Sequence, residues 1–255
     1  MTNTAQQYIP IPRCKLSLEL SLRKMPLPIG IALAIFLLLV VMSPSAHAAD
    51  SDPFERVNRA TYAFNDTFDK TLLKPIATGY SNYMPTVAKT GIRNFFSNLD
   101  EVRVTFNDLL QFKFLQAASD LGRFAINSTV GIAGLVDVAA PAFNLEKNKQ
   151  DFGKTLAYWG AEPGPYLVLP FFGPSTVRDA FGVGFDSAVD PVFSADHVPS
   201  RNSLGVTETI SLRTDYLNID DLIIGDEYLF VRGAYLQARE YSIKGEYVEV
   251  AFEDF

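Results

Sequence analysis

Arg123-Phe-Ala-Ile-Asn-Ser-Thr-Val-Gly-Ile-Ala-Gly-Leu-Val-Asp137 is the stretch on which the reading of this chain turns. Residues 124–136 carry no charge, yet Asn127, Ser128, Thr129, Gly131 and Gly134 break their apolar character. As a helix, at about 1.5 Å per residue, they reach about 20 Å, short of the roughly 30 Å hydrocarbon core of a bilayer. The stretch is too short to span. Two readings stay open: a buried core helix, or a segment embedded in a membrane without crossing it.

Upstream, residues 1–49 stand apart from any fold. Arg23-Lys24 precede an apolar run over 27–42, and Ser45-Ala-His-Ala48 follows as a small-x-small cleavage pattern. This is the layout of a secretory signal peptide with a long leader. The most apolar part, 31–42, is short for a retained anchor. Cleavage after Ala48 removes Arg13, Lys15, Arg23, Lys24 and Glu19, a net +3, so the formal charge of −7 becomes −7 − 3 = −10. Such an acidic body repels phosphate backbones, which argues against nucleic acid, and leaves any membrane contact to apolar surface. Cys14, the single cysteine, precedes the apolar run. The exported part therefore has no disulfide, thiolate nucleophile or cysteine metal ligand.

The rest, 50–241, reads as one domain of helices, with a short acidic tail over 242–255. Asp52-Pro53-Phe54-Glu55 is a helix start, with Asp as cap, Pro next and Glu three residues on. Val57, Ala60, Thr61, Phe64 and Phe68 then form a stripe at helical spacing, by default core-facing. Pro75 and Gly79 are expected to interrupt, and Pro85 opens a pattern from Val87 to Leu99 that resumes at Val102 beyond a polar corner, Asn98-Leu-Asp-Glu101. A further helix begins near Phe114 and feeds into the opening stretch, and Pro141 ends that region. Residues 143–151 read as an exposed polar loop. Residues 166–172, aromatic and aliphatic between Gly-Pro pairs, read as a short strand or extended segment. A short helix starts at Arg178-Asp179, residues 181–202 read as loop, and two helices follow over 206–217 and 227–241, the second capped by Asp226. The fold class is mainly α with little β.

The chemistry of catalysis is absent from these motifs. Only His197 lies beyond the cleavage site, which makes a zinc site or a histidine triad improbable. No G-x-S-x-G turn exists, and Gly182-Val-Gly184 lacks the third glycine of a dinucleotide loop. The adjacent acids Asp100-Glu101 and Asp220-Asp221 suit helix caps or solvated corners better than an acid–base couple. Asp215, Asn218, Asp220 and Asp221 lack EF-hand spacing. No enzyme, metal or cofactor is expected. What stands out is aromatic: 20 Phe and 11 Tyr beside one Trp. They fit either an aromatic core or a membrane interface, where rings lie in lipid and polar tips in water.

Six blocks in order resemble the MlaA family, also called VacJ. They are Asp52-Pro53-x-Glu55-x-x-Asn58-Arg59 with Tyr62-x-Phe64-Asn65; Asn98-Leu99-x-Glu101 with Asn107 and Leu110-Gln111; and Arg123-Phe124-x-Ile126-Asn127-Ser128 through Gly131 and Gly134 to Asp137-Val138-Ala139. Next come Phe152-Gly153-x-Thr155-Leu156 with Gly160, and Gly164-Pro165-Tyr166-x-x-Leu169-Pro170-x-x-Gly173 with Arg178-Asp179. The last is Asp226-x-Tyr228-x-x-Val231-Arg232-x-Ala234-Tyr235-x-Gln237. Together they cover about residues 50–240.

The resemblance implies a compact, ring-like multi-helix domain lying in the inner leaflet of the outer membrane. Its amphipathic central channel would give outer-leaflet phospholipid a path to the periplasm. It implies a trimeric porin and a soluble periplasmic carrier, MlaC, as partners, and transport without bond chemistry. The acylated cysteine of many members has no counterpart, since Ala48-Ala49-Asp50 stands at that position, so the resemblance does not extend to a lipid anchor. A lipid path must hold a charged headgroup and apolar tails together. Asn58, Phe64, Asn65, Asn127 and Ser128 are therefore the candidate lining residues, with Gly131 and Gly134 as packing or hinge glycines. Each polar candidate equally suits a helix cap or a buried hydrogen-bonding group. The alternatives are a soluble periplasmic lipid-binding protein and a lipid hydrolase.

Overall fold

Helix α1 (Glu55–Phe68) starts two residues later than the expected first position, Pro53, because Asp52 Oδ1 accepts the Phe54 N–H (3.0 Å) and turns the chain before the first helical hydrogen bond. The computed structural model describes residues 52–244, apart from 219–222 and 224, all within one compact unit. The signal peptide with Cys14 and Ala48, the Asp220-Asp221 pair and residues 245–255 lie outside the described residues.

Pro75 and Gly79 do not interrupt. Asp69–Leu73 forms one π turn, and α2 (Lys74–Tyr83) continues from it with Pro75 in its first turn. Proline inside an α-helix removes a hydrogen bond and presses on the carbonyl four residues back. A wider π turn just before it relieves both, so the helix passes through. A Cβ on Gly79 would meet nothing within 4 Å, and the glycine lowers helical preference without ending the helix.

Helix α3 (Thr86–Leu110) runs straight through the expected polar corner. Asn98 and Glu101 are buried, not solvated. A tight turn at 111–113 folds the chain back into α4 (Phe114–Thr129), which packs along α3 as a helical hairpin. The opening stretch is not one helix: α4 ends at Thr129, and a loop over 130–138 leads to α5 (Ala139–Phe143). Pro141 sits inside α5, in the first turn where its missing N–H costs nothing. The loop after it is only partly exposed, since Lys147, Asn148 and Gln150 reach back toward α3.

Asp151 Oδ1 accepts the Lys154 N–H (2.9 Å) and caps α6 (Phe152–Tyr158). Strands β1 (Tyr166–Leu169) and β2 (Gly173–Thr176) pair antiparallel, Tyr166 opposite Thr176 and Leu169 opposite Gly173. Gly173-Pro174 opens the second strand. Helix α7 (Val177–Val189) and α8 (Val198–Asp215) occupy much of the span read as loop. Gly182 misled that reading. A Cβ there would stand 2.6 Å from the Gly153 backbone nitrogen, so this glycine marks the crossing of α6 and α7. Helix α9 (Glu227–Lys244) begins where Asp226 Oδ1 accepts the Tyr228 (2.9 Å) and Leu229 (3.2 Å) N–H groups, and it extends through 242–244, assigned above to the tail.

Burial is inverted. Buried Asn58, Asn98, Glu101, Asn107, Asp108, Asp120, Arg123 and Asn127 all lie on α1, α3 and α4, while the apolar stripe of α1 faces outward, with Val57 59% and Phe64 49% exposed. Helical periodicity states that a helix has two faces. It does not state which face meets the solvent.

Candidate functional site

The end of the opening stretch is a polar knot with apolar side chains on its outside. Beyond Thr129, Ile132 (φ 55°), Ala133 (φ 56°) and Gly134 (φ 86°) are left-handed. The Gly134 N–H returns to the Asn127 carbonyl (2.8 Å) and the Val136 N–H to that of Gly131 (2.9 Å). Asn127 closes the loop: Oδ1 accepts the Val138 (2.8 Å) and Ala139 (3.0 Å) N–H groups, and Nδ2 donates to Asp137 Oδ1 (3.0 Å). Ser128 Oγ accepts from Asn98 Nδ2 of α3 (2.8 Å). A Cβ on Gly131 would lie 2.2 Å from the Val136 carbonyl oxygen, and one on Gly134 would lie 2.8 Å from the Asn98 side chain. Val130, Ile132, Leu135 and Val136 are left on the surface. Gly134→Ala combines a left-handed backbone with that clash and is expected to destabilise by at least about 2 kcal/mol. Thermal unfolding in detergent measures it.

Below the knot lies Arg123, whose side chain is 2% exposed. Nε donates to Glu101 Oε1 (2.9 Å), Nη2 to Asp137 Oδ2 (3.2 Å) and Nη1 to the Leu145 carbonyl. Lys147 Nζ approaches the same Glu101 oxygen at 3.7 Å and donates to Asp100 Oδ2 (3.2 Å) and the Ser97 carbonyl (2.9 Å). Burial pushes the Glu101 carboxyl above its ordinary pKa, against the pull of Lys147 and Arg123. At Asp137 burial acts in the same direction but is outweighed by bonds from Asn127, the Ala140 N–H and Arg123, which hold it low.

Toward the α3–α4 connection, two turns beyond Glu101 and one beyond Arg123, Asp108 and Asp120 are both fully buried. Asn148 Nδ2 donates to Asp108 Oδ2 (2.7 Å) and Gln116 Nε2 to Asp120 Oδ1 (3.0 Å). Burial, then the hydrogen bond and charge of Asp120, push Asp108 up to about 7. An acid with a raised folded pKa contributes stability that is complete below its unfolded pKa and is lost as pH rises through the folded one. Asp108→Asn is therefore expected to stabilise the protein at pH 8 by about 2 kcal/mol or more and to flatten its stability profile between about pH 4 and 8. Unfolding midpoints across that range test this.

A third cluster fastens α9. Arg239 Nη1 and Nη2 donate to Asp151 (2.7 and 2.6 Å), and Nε and Nη2 donate to Asp179 (3.0 and 2.8 Å). Tyr235 Oη donates to Asp179 Oδ2 (2.8 Å) and Arg178 Nε to its Oδ1 (3.1 Å). Burial alone would raise both carboxyls, but Arg239 outweighs it and holds them below the usual range.

The remaining candidates sit on α1 against the hairpin. Asn58 Nδ2 donates to the Tyr166 carbonyl (3.0 Å) and Asp52, and its Oδ1 accepts the Val168 N–H (2.9 Å). Asn65 repeats the arrangement two turns on, with the Leu169 carbonyl and the Phe171 N–H at 2.9 Å each. Phe64 lies between them on the outer side, edge-to-face with Phe171 at 5.3 Å. The structure thus groups Asn58, Phe64 and Asn65 at one place and Asn127 and Ser128 at another, and the bonds of all four polar residues are made within the fold. Sequence reasoning missed Glu101, Arg123, Asp151, Asp179 and Arg239 as a buried set. The available signal was polar: Asn98, Glu101 and Asp108 on α3 with Gln111 just past its end, and Gln116, Asp120, Arg123 and Asn127 on α4, recur at steps of three, four or seven residues.

Among the described residues no helix is long and apolar enough to cross a membrane, and no group of three His, Cys, Asp or Glu is placed to hold a metal. Several charged groups turned inward, with many aliphatic and aromatic groups left exposed, define a class: a helical protein with a large exposed apolar surface. Comparison with known proteins narrows the class. The model of the MlaA lipoprotein family matches residues 50–242, and the chain belongs to that family. The intermembrane phospholipid transport system lipoprotein MlaA of Escherichia coli (strain K12) is 36% identical over 200 residues, 76% of this chain and 79% of that one. Its Haemophilus influenzae namesake is 30% identical over 205 residues, 78% and 82% of the two chains. A Rickettsia bellii protein is 36% identical over 197 residues, 76% and 77%. A solved structure described as the structural basis for maintenance of bacterial outer membrane lipid asymmetry superposes with a TM-score of 0.66 at 34% identity, over 76% of this chain and 99% of that one.

Proposed function

We propose that this protein is the outer-membrane component of an intermembrane phospholipid transport system. It removes mislocalised phospholipid from the outer leaflet and passes it to a soluble periplasmic carrier, so maintaining lipid asymmetry. The observation that carries this is the inverted burial. A fold with Arg123, Glu101, Asp108 and Asn58 inside and Phe64, Phe112, Leu115 and Ile132 outside suits an apolar surrounding on its flank. The names of the E. coli and H. influenzae relatives support the same reading. The process is transport, with no bond made or broken by this subunit.

In this reading the chain is exported by a cleaved signal peptide and lies on the periplasmic side of the outer membrane, with a trimeric porin and an MlaC-like carrier as partners. Phe64 meets lipid directly, while Asn58, Asn65, Asn127 and Ser128 shape the path from behind by fixing β1 and the 130–138 loop. With Ala48-Ala49-Asp50 where relatives carry an acylated cysteine, retention rests on the apolar surface and the porin, since one acyl chain is itself a marginal anchor. That same sequence favours the second reading, a soluble periplasmic lipid-binding protein.

Deletion of the gene in its host, followed by assay of surface-exposed phospholipid, tests the first reading. A rise reversed by the intact gene is expected, and unchanged asymmetry in a strain without a paralogue overturns it. Fractionation separates the two: membrane-bound protein released only by detergent is expected, and recovery from the detergent-free periplasm favours the soluble binder.

A further inference from the structure

The turn between α3 and α4 borders an open surface pocket of about 530 Å³, large enough for a phospholipid headgroup with its glycerol. Its wall is donor-rich and free of acid. Lys113, Gln116, Asn148 and Gln150 supply the polar side and Phe112 and Phe114 the apolar side, with no carboxylate among the lining residues. In a chain of net charge −7 this wall carries one cation and no acid of its own, the nearest carboxylates, Asp108 and Asp120, lying behind Asn148 and Gln116.

The polar wall is held from beneath. Gln116 spends one amide N–H on Asp120 and Asn148 one on Asp108, each leaving a second. Gln150 accepts from Gln111 Nε2 (3.2 Å) through its oxygen, so both of its N–H groups remain unspent. Lys113 has no ion-pair partner among the described residues, and its ammonium stands 5.7 Å from the centre of the Tyr158 ring. The rim is apolar. Phe112 has a left-handed backbone (φ 60°), a strained state for a bulky residue, with its ring 6.3 Å from that of Phe114. Leu115, next in sequence, is 90% exposed.

We infer that this pocket is a headgroup-binding site for a phosphate-bearing amphiphile, with Lys113 and the amides of Gln116, Asn148 and Gln150 taking the phosphate and Phe112 and Phe114 the start of the acyl chains. The inference rests on the proposed transport function and adds to it a discrete station outside the Arg123 and Arg239 clusters. A donor-rich wall recognises phosphodiester oxygens through charge-assisted hydrogen bonds. The aromatic rim separates a lipid from a free phosphate, because it can bury methylenes that phosphate lacks.

The test uses purified full-length protein in detergent and the fluorescence of Trp159, the only tryptophan, whose Nε1 donates to the Leu110 carbonyl (3.2 Å) at the end of α3. Dihexanoyl phosphatidylglycerol is titrated below its micelle concentration, beside dihexanoylglycerol and inorganic phosphate. Saturable phospholipid binding is expected, weakened about tenfold by Lys113→Gln and weakened also by Phe114→Ser, with both variants unfolding at the wild-type temperature. Inorganic phosphate is expected to compete only weakly. Equal affinity of wild type and Lys113→Gln, or of phospholipid and dihexanoylglycerol, overturns the site, and phosphate binding as tight as phospholipid overturns its lipid assignment. Phospholipid binding lost in Lys113→Gln while the deletion strain keeps normal asymmetry retains the site and removes only the transport function.

Discussion

Arg123→Met is expected to destabilise the protein by about 3–5 kcal/mol, the cost of leaving a buried carboxylate without its partner. The variant removes every bond from Arg123 to Glu101, Asp137 and the Leu145 carbonyl in one step. Lys147 stays 3.7 Å from Glu101, too far to replace an aligned guanidinium. Methionine fills much of the volume, so the loss reads charge and hydrogen bonding rather than a cavity. Exchanging both partners is the informative control. Arg123→Met with Glu101→Leu is expected to recover a large part of the loss, because no unpaired charge is then left in the interior. Chemical unfolding in a fixed detergent concentration measures both, and an Arg123→Met variant within about 1 kcal/mol of wild type defeats the account.

Loss of Arg239 is expected to be of similar size, about 3–5 kcal/mol, since two acids of low exposure, Asp151 and Asp179, share it. Here pH separates the mechanism from simple loss of packing. Both carboxyls sit below their ordinary pKa in the folded protein. Their contribution is thus present above the unfolded value, about 4, and is lost as pH falls through the lower folded values. Wild type should weaken below about pH 4. In Arg239→Met the same acids are buried without a cation, their folded pKa moves above the unfolded one, and acidification should stabilise the variant. The two stability curves are expected to converge as pH falls from 7 to 4. Parallel curves would show that Arg239 acts through its stem alone.

Much of the element order was legible because its signals are local. Asp226 caps α9 as its sequence context implies, α4 begins at Phe114, and the aromatic run between Gly-Pro pairs holds β1. Two kinds of feature were not legible. Pro75, Gly182 and Gly184 carry the signature of breaks, yet a π turn absorbs the first, and a helix crossing requires the small residue at Gly182. The sense of burial was the larger miss. Val57, Phe64 and Phe68 make as regular a stripe as any core, and only knowledge of the surrounding medium decides that they face out. The candidate residues show the same limit. Asn58, Asn65, Asn127 and Ser128 stand out as polar groups in apolar company, but the sequence does not say that backbone N–H and carbonyl groups or Asn98 will take their hydrogen bonds. Arg123 and Glu101 lay in matched blocks, and their pairing across two helices has no local signal.

The outward-facing stripe of α1 and the surface residues around Ile132 carry a consequence for delivery. Water-soluble chains gain their stability by withdrawing such groups from water, and this chain completes its folded form with many of them still outside. An amphiphile that coats the folded surface and has no matching surface in the unfolded chain adds stability with its concentration. The unfolding midpoint should therefore climb as detergent or lipid is added above the amount that merely keeps the protein in solution. If the chain crosses an aqueous compartment, as proposed above, it does so without that coat, and masking the stripe until a bilayer replaces it would serve the folding of this protein as directly as any residue within it.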